Sequence, residues 1–294
     1  MAEQRLGVAA NAPGWFAAAM ASLSDVDAVQ VDGVEIATLA WGDVRHPTLV
    51  LVHGGASHAR WWAALAPLLA RSYRVVAVDL SGHGDSGWRR RYRAEQWADE
   101  VLAAAARAGG VGPPTMIDHS MGGFVTIVLA ANHGAEPAGA IILDTPVQRP
   151  DPESEEGRVG GMFRAPKTYP DPETAVGHFH LVPPQPCVNT WLLDQIARSG
   201  LRPVDGGWSW TFDPQAFTAR DGPSRPSDFS TQLGRVGCCV AVVNGERSAI
   251  VDTDVRDAPP MTVTGGGARR VRPRGPGPCA GSGQRGCGSV ARSR

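Results

Sequence analysis

A serine followed by paired glycines comes after an apolar run near the middle of the chain. Ser120 stands in the run Ile117-Asp118-His119-Ser120-Met121-Gly122-Gly123, between the apolar residues 114–117 and a helix-like segment at 124–131. This position predicts a sharp turn from a strand into a helix, with the hydroxyl presented at the bend. A serine there is a candidate nucleophile if an imidazole takes its proton. No histidine follows His180, so the C-terminal part of the chain offers no such group.

A second stretch, His53-Gly54-Gly55-Ala56, follows an earlier apolar run and consists mainly of small residues. Small residues let backbone amides approach a substrate oxygen, and a developing oxyanion requires such donors. We predict that the amides of Gly55 and Met121 form an oxyanion hole, with Ala56 a neighbour of similar standing.

Continuous apolar runs predict strands buried on both faces, and therefore a parallel sheet covered by helices. The runs are residues 48–52, 75–78, 115–117, 140–143 and 240–243, and helical patterns lie between them at 59–71, 92–108 and 123–133. Residues 29–41 alternate around Asp32-Gly33, which predicts a β-hairpin at a sheet edge. The fold class is therefore α/β, with a mostly parallel doubly wound sheet.

Ligands of open parallel sheets bind beyond the carboxyl ends of the strands. Ser120 and the glycines at 54 and 55 both fall at such ends. Residues 79–86 follow a further strand and include His83, but their composition is typical of a loop held by its own hydrogen bonds.

These three stretches, in this order, resemble the α/β-hydrolase fold family. Residues 183–186 and 206–214 resemble the cap of its haloperoxidase and epoxide-hydrolase-like branch. The resemblance covers roughly residues 29–256. It implies the chain order nucleophile, acid, histidine, with the histidine after the last strand.

The sequence departs from the family at three points. Asp118 stands where relatives usually have a small residue, and Ser248 stands where many carry the acid. Asp144, at the end of the preceding strand, is the geometric substitute; Asp252 is the second candidate and Glu246 a distant third.

The third departure is the missing base. His119 adjoins Ser120, but neighbouring side chains of a strand face opposite sides, so we expect its ring to point away. His178 and His180 lie in the predicted cap, where histidines more often pack or bind water.

The predicted organisation has four parts. They are a leading helix at 1–28, a core at 29–146 and 229–256, a helical cap at 147–228, and a tail at 257–294. The tail is rich in glycine, arginine and proline, and Asp257 is its only acid. Such a composition cannot bury a core. We interpret the tail as disordered or as read out of frame from near Ala258.

The formal net charge is -1, which gives no reason to expect nucleic acid or an anionic membrane as partner. Five cysteines without paired spacing indicate neither a metal site nor a disulfide scaffold, and favour a cytoplasmic location. The sequence predicts a small-molecule substrate, no cofactor and no metal, and leaves the oligomeric state open.

The leading hypothesis is a serine hydrolase of a small ester, amide or related carbonyl compound, impaired as written because its catalytic histidine is absent. Trp191, Trp208 and Trp210 favour an apolar or aromatic substrate. The alternative is a non-catalytic small-molecule-binding protein on the same fold. An epoxide hydrolase or dehalogenase is disfavoured because those enzymes use a carboxylate where Ser120 stands.

Overall fold

The computed structural model describes residues 11–134, 136–146, 165–218, 232, 234–251, 261–264 and 267–270, the last two stretches as backbone. Its strands, in chain order, are β1 (Asp25–Val31), β2 (Val34–Trp41), β3 (Pro47–Val52), β4 (Arg74–Val78), β5 (Val111–His119), β6 (Gly139–Leu143), β7 (Leu201–Val204), β8 (Gly207–Trp210), β9 (Cys239–Val243), β10 (Met261–Thr264) and β11 (Gly267–Arg270).

Nine of these strands form one sheet, in the order β1-β2-β4-β3-β5-β6-β9-β10-β11. The pairs β3–β4, β3–β5, β5–β6 and β6–β9 are parallel, and β1, β2, β10 and β11 pair antiparallel. Each predicted apolar run lies in one of the parallel strands. The mostly parallel α/β sheet predicted from the sequence is confirmed.

The hairpin is also confirmed, with Asp32 and Gly33 at its turn and β1 at the sheet edge. Both turn residues have positive φ, 48° and 76°, the backbone that two-residue hairpin turns require. The hairpin begins at Asp25, within the segment assigned to the leading helix.

Helices cover both faces of the sheet. The described α-helices are α1 (Gly14–Ala21), α2 (Ala66–Leu69), α3 (Ala94–Ala108) and α4 (Met121–Asn132), and, in the insertion after β6, α5 (Pro172–Gly177), α6 (Thr190–Ser199) and α7 (Gln215–Thr218). On one face, α3 and α4 pack over a core that includes Val50, Val78 and Met116. On the other, Leu51 and Val75 pack beneath α2 and a short 3-10 helix at Ala59–Trp62.

The helix predicted at 59–71 is wrong as one element, because the 3-10 helix and α2 divide it. Pro67 has no amide hydrogen and fits only the first turn of a helix, so α2 starts there. The Ala59 amide donates to the Asp79 carboxylate at 2.6 Å, which ties the start of the 3-10 helix to the loop after β4.

Residues 79–86 form the structured loop that their composition predicts. Asp79 also accepts from the Asp85 amide at 3.0 Å, and the Ser86 hydroxyl donates to the Asp79 carbonyl at 2.6 Å. His83 is fully buried, and its Nδ1 lies 3.3 Å from the Ser81 carbonyl oxygen. The residues of this loop are therefore used for packing and hydrogen bonding.

The order of the strands reverses beside β3. The chain passes from β3 to β4 on one side and then returns to β5 on the other, with Val52 opposite Asp118 in the register. The segments that leave β3 and β5 therefore diverge from adjacent points. Such a reversal is where open α/β sheets bind ligands.

The described part of the insertion between β6 and β9 is residues 165–218. The sequence predicts a helical cap there, whereas the structure has both helices and strands. Its helices α5, α6 and α7 accompany a hairpin of β7 and β8. Trp208, Ser209 and Trp210 alternate in polarity, and Gly206 supplies a positive φ of 83° at the turn. The Asp205-Gly206 pair was the sequence signal for this hairpin.

Backbone and side-chain hydrogen bonds fasten the insertion to the loop after β4. The Gly84 amide donates to the Thr211 carbonyl at 2.7 Å, and the Asp213 amide donates to the Gly82 carbonyl at 2.8 Å. The Tyr92 hydroxyl donates to the buried Asp213 carboxylate at 2.6 Å. The insertion is therefore anchored at the carboxyl edge of the sheet.

Helix α1 packs against the insertion through aromatic rings. The ring centroid of Trp191, on α6, lies 4.4 Å from that of Phe16 and 5.8 Å from that of Trp15. Phe16 is buried, whereas Trp15 remains 45% exposed. One of the three tryptophans expected to shape a substrate pocket is thus in contact with the N-terminal helix.

At the far edge of the sheet, β10 pairs antiparallel with β9, and β11 with β10. Residues 261–264 and 267–270, within the predicted tail, thus form two strands of the sheet. Most of the predicted tail, and residues 147–164 of the predicted cap, lie outside the described residues. The out-of-frame hypothesis stays a prediction.

Within the described residues, no helix combines the length and apolarity that crossing a membrane demands. The cytoplasmic location stays a prediction.

Replacing Tyr92 with phenylalanine removes a donor from the buried Asp213 carboxylate. We expect the free energy of unfolding, measured by urea denaturation, to fall by about 1–3 kcal/mol. Tyr73→Phe is the matched control, because Tyr73 is 38% exposed. Equal unfolding midpoints for the two variants would contradict the anchoring role of Tyr92.

Candidate active site

Ser120 sits on the bend between β5 and α4, as predicted. Its backbone has φ 51° and ψ −115°, outside both strand and helix conformations. Its amide donates to the Leu143 carbonyl at 3.0 Å, and the Thr145 hydroxyl donates to its carbonyl at 2.9 Å. Bonds from the neighbouring strand end therefore hold the bend.

The glycines after Ser120 let α4 approach the sheet closely. A Cβ atom on Gly122 would lie 2.8 Å from the His53 carbonyl oxygen and 2.9 Å from that of Val52. A Cβ atom on Gly123 would press on Ile142 at 2.7 Å. Side chains at either position would push the helix, and the bend with it, away from β3.

The loop after β3 lies against the nucleophile candidate. A Cβ atom on Gly54 would be 3.4 Å from the Ser120 Cβ. The Nδ1 atom of buried His53 lies 2.7 Å from the Gly54 carbonyl oxygen, which also accepts from the Ser57 amide at 3.3 Å. Since the N–H and C=O groups of a trans peptide point in opposite directions, the Gly55 amide is directed away from these partners.

The two predicted oxyanion donors lack competing acceptors. Among the described residues, neither the Gly55 amide nor the Met121 amide donates a hydrogen bond. Met121 is the first residue of α4, where the helix leaves its amides unpaired and carries a partial positive charge. Ala56, the neighbour considered as an alternative, has a positive φ of 53°.

Asp144 follows β6 and is held at its carboxylate. Oδ1 accepts from the Gly245 amide at 2.8 Å, and Oδ2 accepts from the Ser248 hydroxyl at 2.9 Å. Ser248, which the family resemblance places where many relatives carry the acid, thus orients the carboxylate of Asp144, the predicted substitute. Asp144 also has a positive φ, 50°, which fixes the turn that presents it.

The other acid candidates are less well placed. Glu246 is exposed on the loop after β9, whereas Asp144 is half-buried beside the strand that bears Ser120. Asp252 lies outside the described residues.

All eight histidines are described, and none forms a hydrogen bond with Ser120. His178 and His180, in the insertion, are exposed, and the His178 ring stacks on Tyr169 with 5.3 Å between centroids. His180 Nδ1 lies 3.1 Å from the His178 carbonyl oxygen.

His119 contacts the loop after β3. Its Nδ1 would lie 3.0 Å from a Cβ atom on Gly54, so its ring contacts the same glycine as Ser120. The alternation of a regular strand does not extend to this pair, because Ser120 has already left the strand conformation. The orientation of the ring relative to the Ser120 hydroxyl stays a prediction.

Asp118 is fully buried at the end of β5, and neither carboxylate oxygen has a hydrogen-bond partner. It shares a face of β5 with Met116, beneath α3 and α4. Burial raises the pKa of Asp118 well above its usual range, and only the nearby Thr126 hydroxyl opposes this. The carboxyl is therefore held in its neutral form more firmly than any solvated aspartate.

Residues 47–170 match the family model described as alpha/beta hydrolase fold. The match covers less than half of the chain, and together with the sheet order given above it shows an α/β-hydrolase fold. The narrower haloperoxidase and epoxide-hydrolase-like branch stays a prediction.

Solved structures share the fold over most of the chain. An E-2-(acetamidomethylene)succinate hydrolase superposes with a TM-score of 0.66 and 22% identity, covering 76% of this chain and 81% of its own. An alpha/beta hydrolase from Novosphingobium aromaticivorans superposes with a TM-score of 0.65 and 22% identity, covering 79% of this chain and 85% of its own. Identities this low establish the architecture alone.

Curated relatives match over shorter stretches. A pyrethroid hydrolase from Sphingobium wenxiniae is 36% identical over 105 residues, 35% of this chain and 37% of the relative. A protein phosphatase methylesterase from Mus musculus is 30% identical over 162 residues, 53% of this chain and 42% of the relative. The chain spans less than half the length of these two relatives.

Asparagine at position 118 tests the buried carboxyl. Because the folded-state pKa of Asp118 is raised above the ordinary 3.8, the folded protein keeps a proton that the unfolded chain loses above about pH 4. The free energy of unfolding should therefore fall as pH rises from about 4 towards the folded-state pKa. Asparagine does not titrate, so Asp118→Asn should show a smaller fall.

Urea denaturation between about pH 4 and about pH 8 measures this difference. Buried Asp79 and Glu100 also have raised pKa values, but they are common to both proteins. Glu95→Gln, at an exposed position, is the control. Identical pH slopes for wild type and Asp118→Asn would show that the buried carboxyl does not titrate as described.

Proposed function

We propose that the protein hydrolyses a small carboxylic ester or related carbonyl compound through Ser120. One observation carries the proposal. Of the four described non-glycine residues with positive φ, Asp32 forms the hairpin turn, and the other three are Ala56, Ser120 and Asp144. Unfavourable backbone conformations tend to persist where function requires them, and these three lie in the segments that follow the adjacent strands β3, β5 and β6.

The arrangement supports acyl transfer. In the proposed reaction, the Ser120 oxygen attacks the substrate carbonyl, and the amides of Gly55 and Met121 stabilise the resulting oxyanion. The alcohol leaves, and water then releases the acyl group from Ser120. Asp144 supplies the negative charge that stabilises a protonated base during each step.

The relatives point to the same chemistry. Both curated proteins named above are called hydrolases or esterases, and the residues that the family model matches, 47–170, include the strand, bend and helix that bear Ser120. The insertion supports an apolar substrate, since Trp210 packs with Tyr169 and Phe179 at centroid distances of 6.2 and 5.6 Å.

A second candidate function is non-catalytic binding of a small molecule in the same site. The observation that favours it is the absence of a hydrogen bond between Ser120 and any of the eight described histidines. A serine without an activated hydroxyl still leaves the two amides available to a ligand oxygen.

A fluorophosphonate probe separates the two functions, because it reacts with an activated serine. We expect wild type to be labelled at Ser120, identified by peptide mass spectrometry, and Ser120→Ala to remain unlabelled. Ser72→Ala, at an exposed position, is the matched control and should label like wild type. A folded wild type that stays unlabelled while binding an apolar ester would support the binding protein instead.

A further inference from the structure

The proposed reaction requires a histidine that accepts the Ser120 proton. Of the eight histidines, all except His53 and His119 are occupied elsewhere or distant from the bend. They are His46, which precedes β3; His58 and His83, buried in loops; His133, paired with Asp99 beyond the end of α4; and the exposed His178 and His180.

His53 is excluded by its bonds. Its Nδ1 lies 2.7 Å from the Gly54 carbonyl oxygen, and its Nε2 accepts from the Leu80 amide at 3.1 Å. Both ring nitrogens are therefore in use, and burial lowers the pKa of His53 to about 4.

His119 has the opposite character. It adjoins Ser120 in sequence, and both side chains contact Gly54, His119 through Nδ1 at 3.0 Å and Ser120 through Cβ at 3.4 Å from the position of an added Cβ. Neither of its ring nitrogens has a hydrogen bond to another described residue. A half-buried imidazole whose nitrogens make no hydrogen bond within the described residues thus borders the same backbone position as the Ser120 side chain.

Asp144 provides the charge that such a base requires. Burial lowers the pKa of His119, and the Asp144 carboxylate raises it again. The carboxylate is fixed by Gly245 and Ser248, so its position relative to the ring is set by the ends of β6 and β9. His53 also faces His119, and the charge of protonated His119 lowers the pKa of His53 further.

We infer that His119 is the general base of this site, taking the role that a histidine after the last strand would otherwise fill. The inference rests on the proposed function. A ring nitrogen of His119 receives the Ser120 proton, directly or through one water, as the serine oxygen bonds to the carbonyl carbon. The imidazolium returns the proton to the departing alkoxide as the C–O bond breaks. Water is deprotonated in the same way when the acyl group is released.

The strained bend permits this arrangement. Adjacent residues of a regular strand project to opposite faces and cannot exchange a proton. At Ser120 the φ of 51° turns the chain before the alternation is completed, so the two side chains meet the same glycine. The conformation that exposes the nucleophile also brings its sequence neighbour within the site.

Hydrolysis of p-nitrophenyl acetate by the full chain tests the inference. We expect His119→Gln and His119→Ala to lower kcat/KM by about 10²-fold to 10⁴-fold, the range for loss of a general base. Added imidazole should restore part of the activity of His119→Ala and none of that of Ser120→Ala. His178→Gln, an exposed histidine of the insertion, is the control and should match wild type.

The pH profile gives a second measurement. The acidic limb of kcat/KM for wild type should report the His119 pKa, below the ordinary 6.5. Removing the Asp144 charge in Asp144→Asn should move that limb to lower pH, because the carboxylate raises the pKa of His119. A residue that acts only by packing would leave the limb in place.

The outcomes separate the two proposals. Full activity and fluorophosphonate labelling of His119→Gln, with none for Ser120→Ala, would overturn the role of His119 and leave the proposed function standing. An unlabelled, inactive wild type would overturn the proposed function itself. Circular dichroism and thermal unfolding of each variant establish that a lost activity is not a lost fold, and the glutamine variant covers a folding failure of His119→Ala.

Discussion

The left-handed backbone of Ser120 is the constraint to which the surrounding structure is fitted. Such a conformation costs about 1–3 kcal/mol and persists only where neighbours over-determine it. Here the Leu143 carbonyl and the Thr145 hydroxyl fix the peptide groups on either side. The absence of a side chain at Gly122 lets α4 approach the carbonyls of β3. The parallel register of β3, β5 and β6 brings these contacts to one point.

Burial determines the charge state of the groups around this bend. His53, His58 and His83 are fully buried, and desolvation lowers the pKa of each, so the loops after β3 and β4 are joined by neutral hydrogen bonds. Asp118 is neutral for the same reason. The half-buried Asp144 carboxylate instead accepts hydrogen bonds from an amide and a hydroxyl.

Sequence reasoning found the parallel strands because fully buried strands read as continuous apolar runs, and it found Ser120 because a strand, a small-residue turn and a helix follow in order. It failed where three-dimensional context decides. Pro67 and the hydrogen bond between Ala59 and Asp79 divide a predicted helix. The hairpin of β7 and β8 was not predicted because it lies in a segment interpreted as a helical cap. The carboxylate partners of Asp144 come from a loop distant in sequence.

The contact between α1 and α6 links the N-terminal helix to the insertion and, through it, to the loop after β3. Phe16 and Trp15 pack on Trp191, and α6 in turn receives the His58 ring at the Ile196 carbonyl, 3.2 Å away. Removing α1 would therefore remove the two aromatic rings that pack on Trp191 of the insertion. Because α6 also binds His58, in the loop that bears Gly54 and Gly55, a change at the amino terminus would alter the packing next to the candidate site.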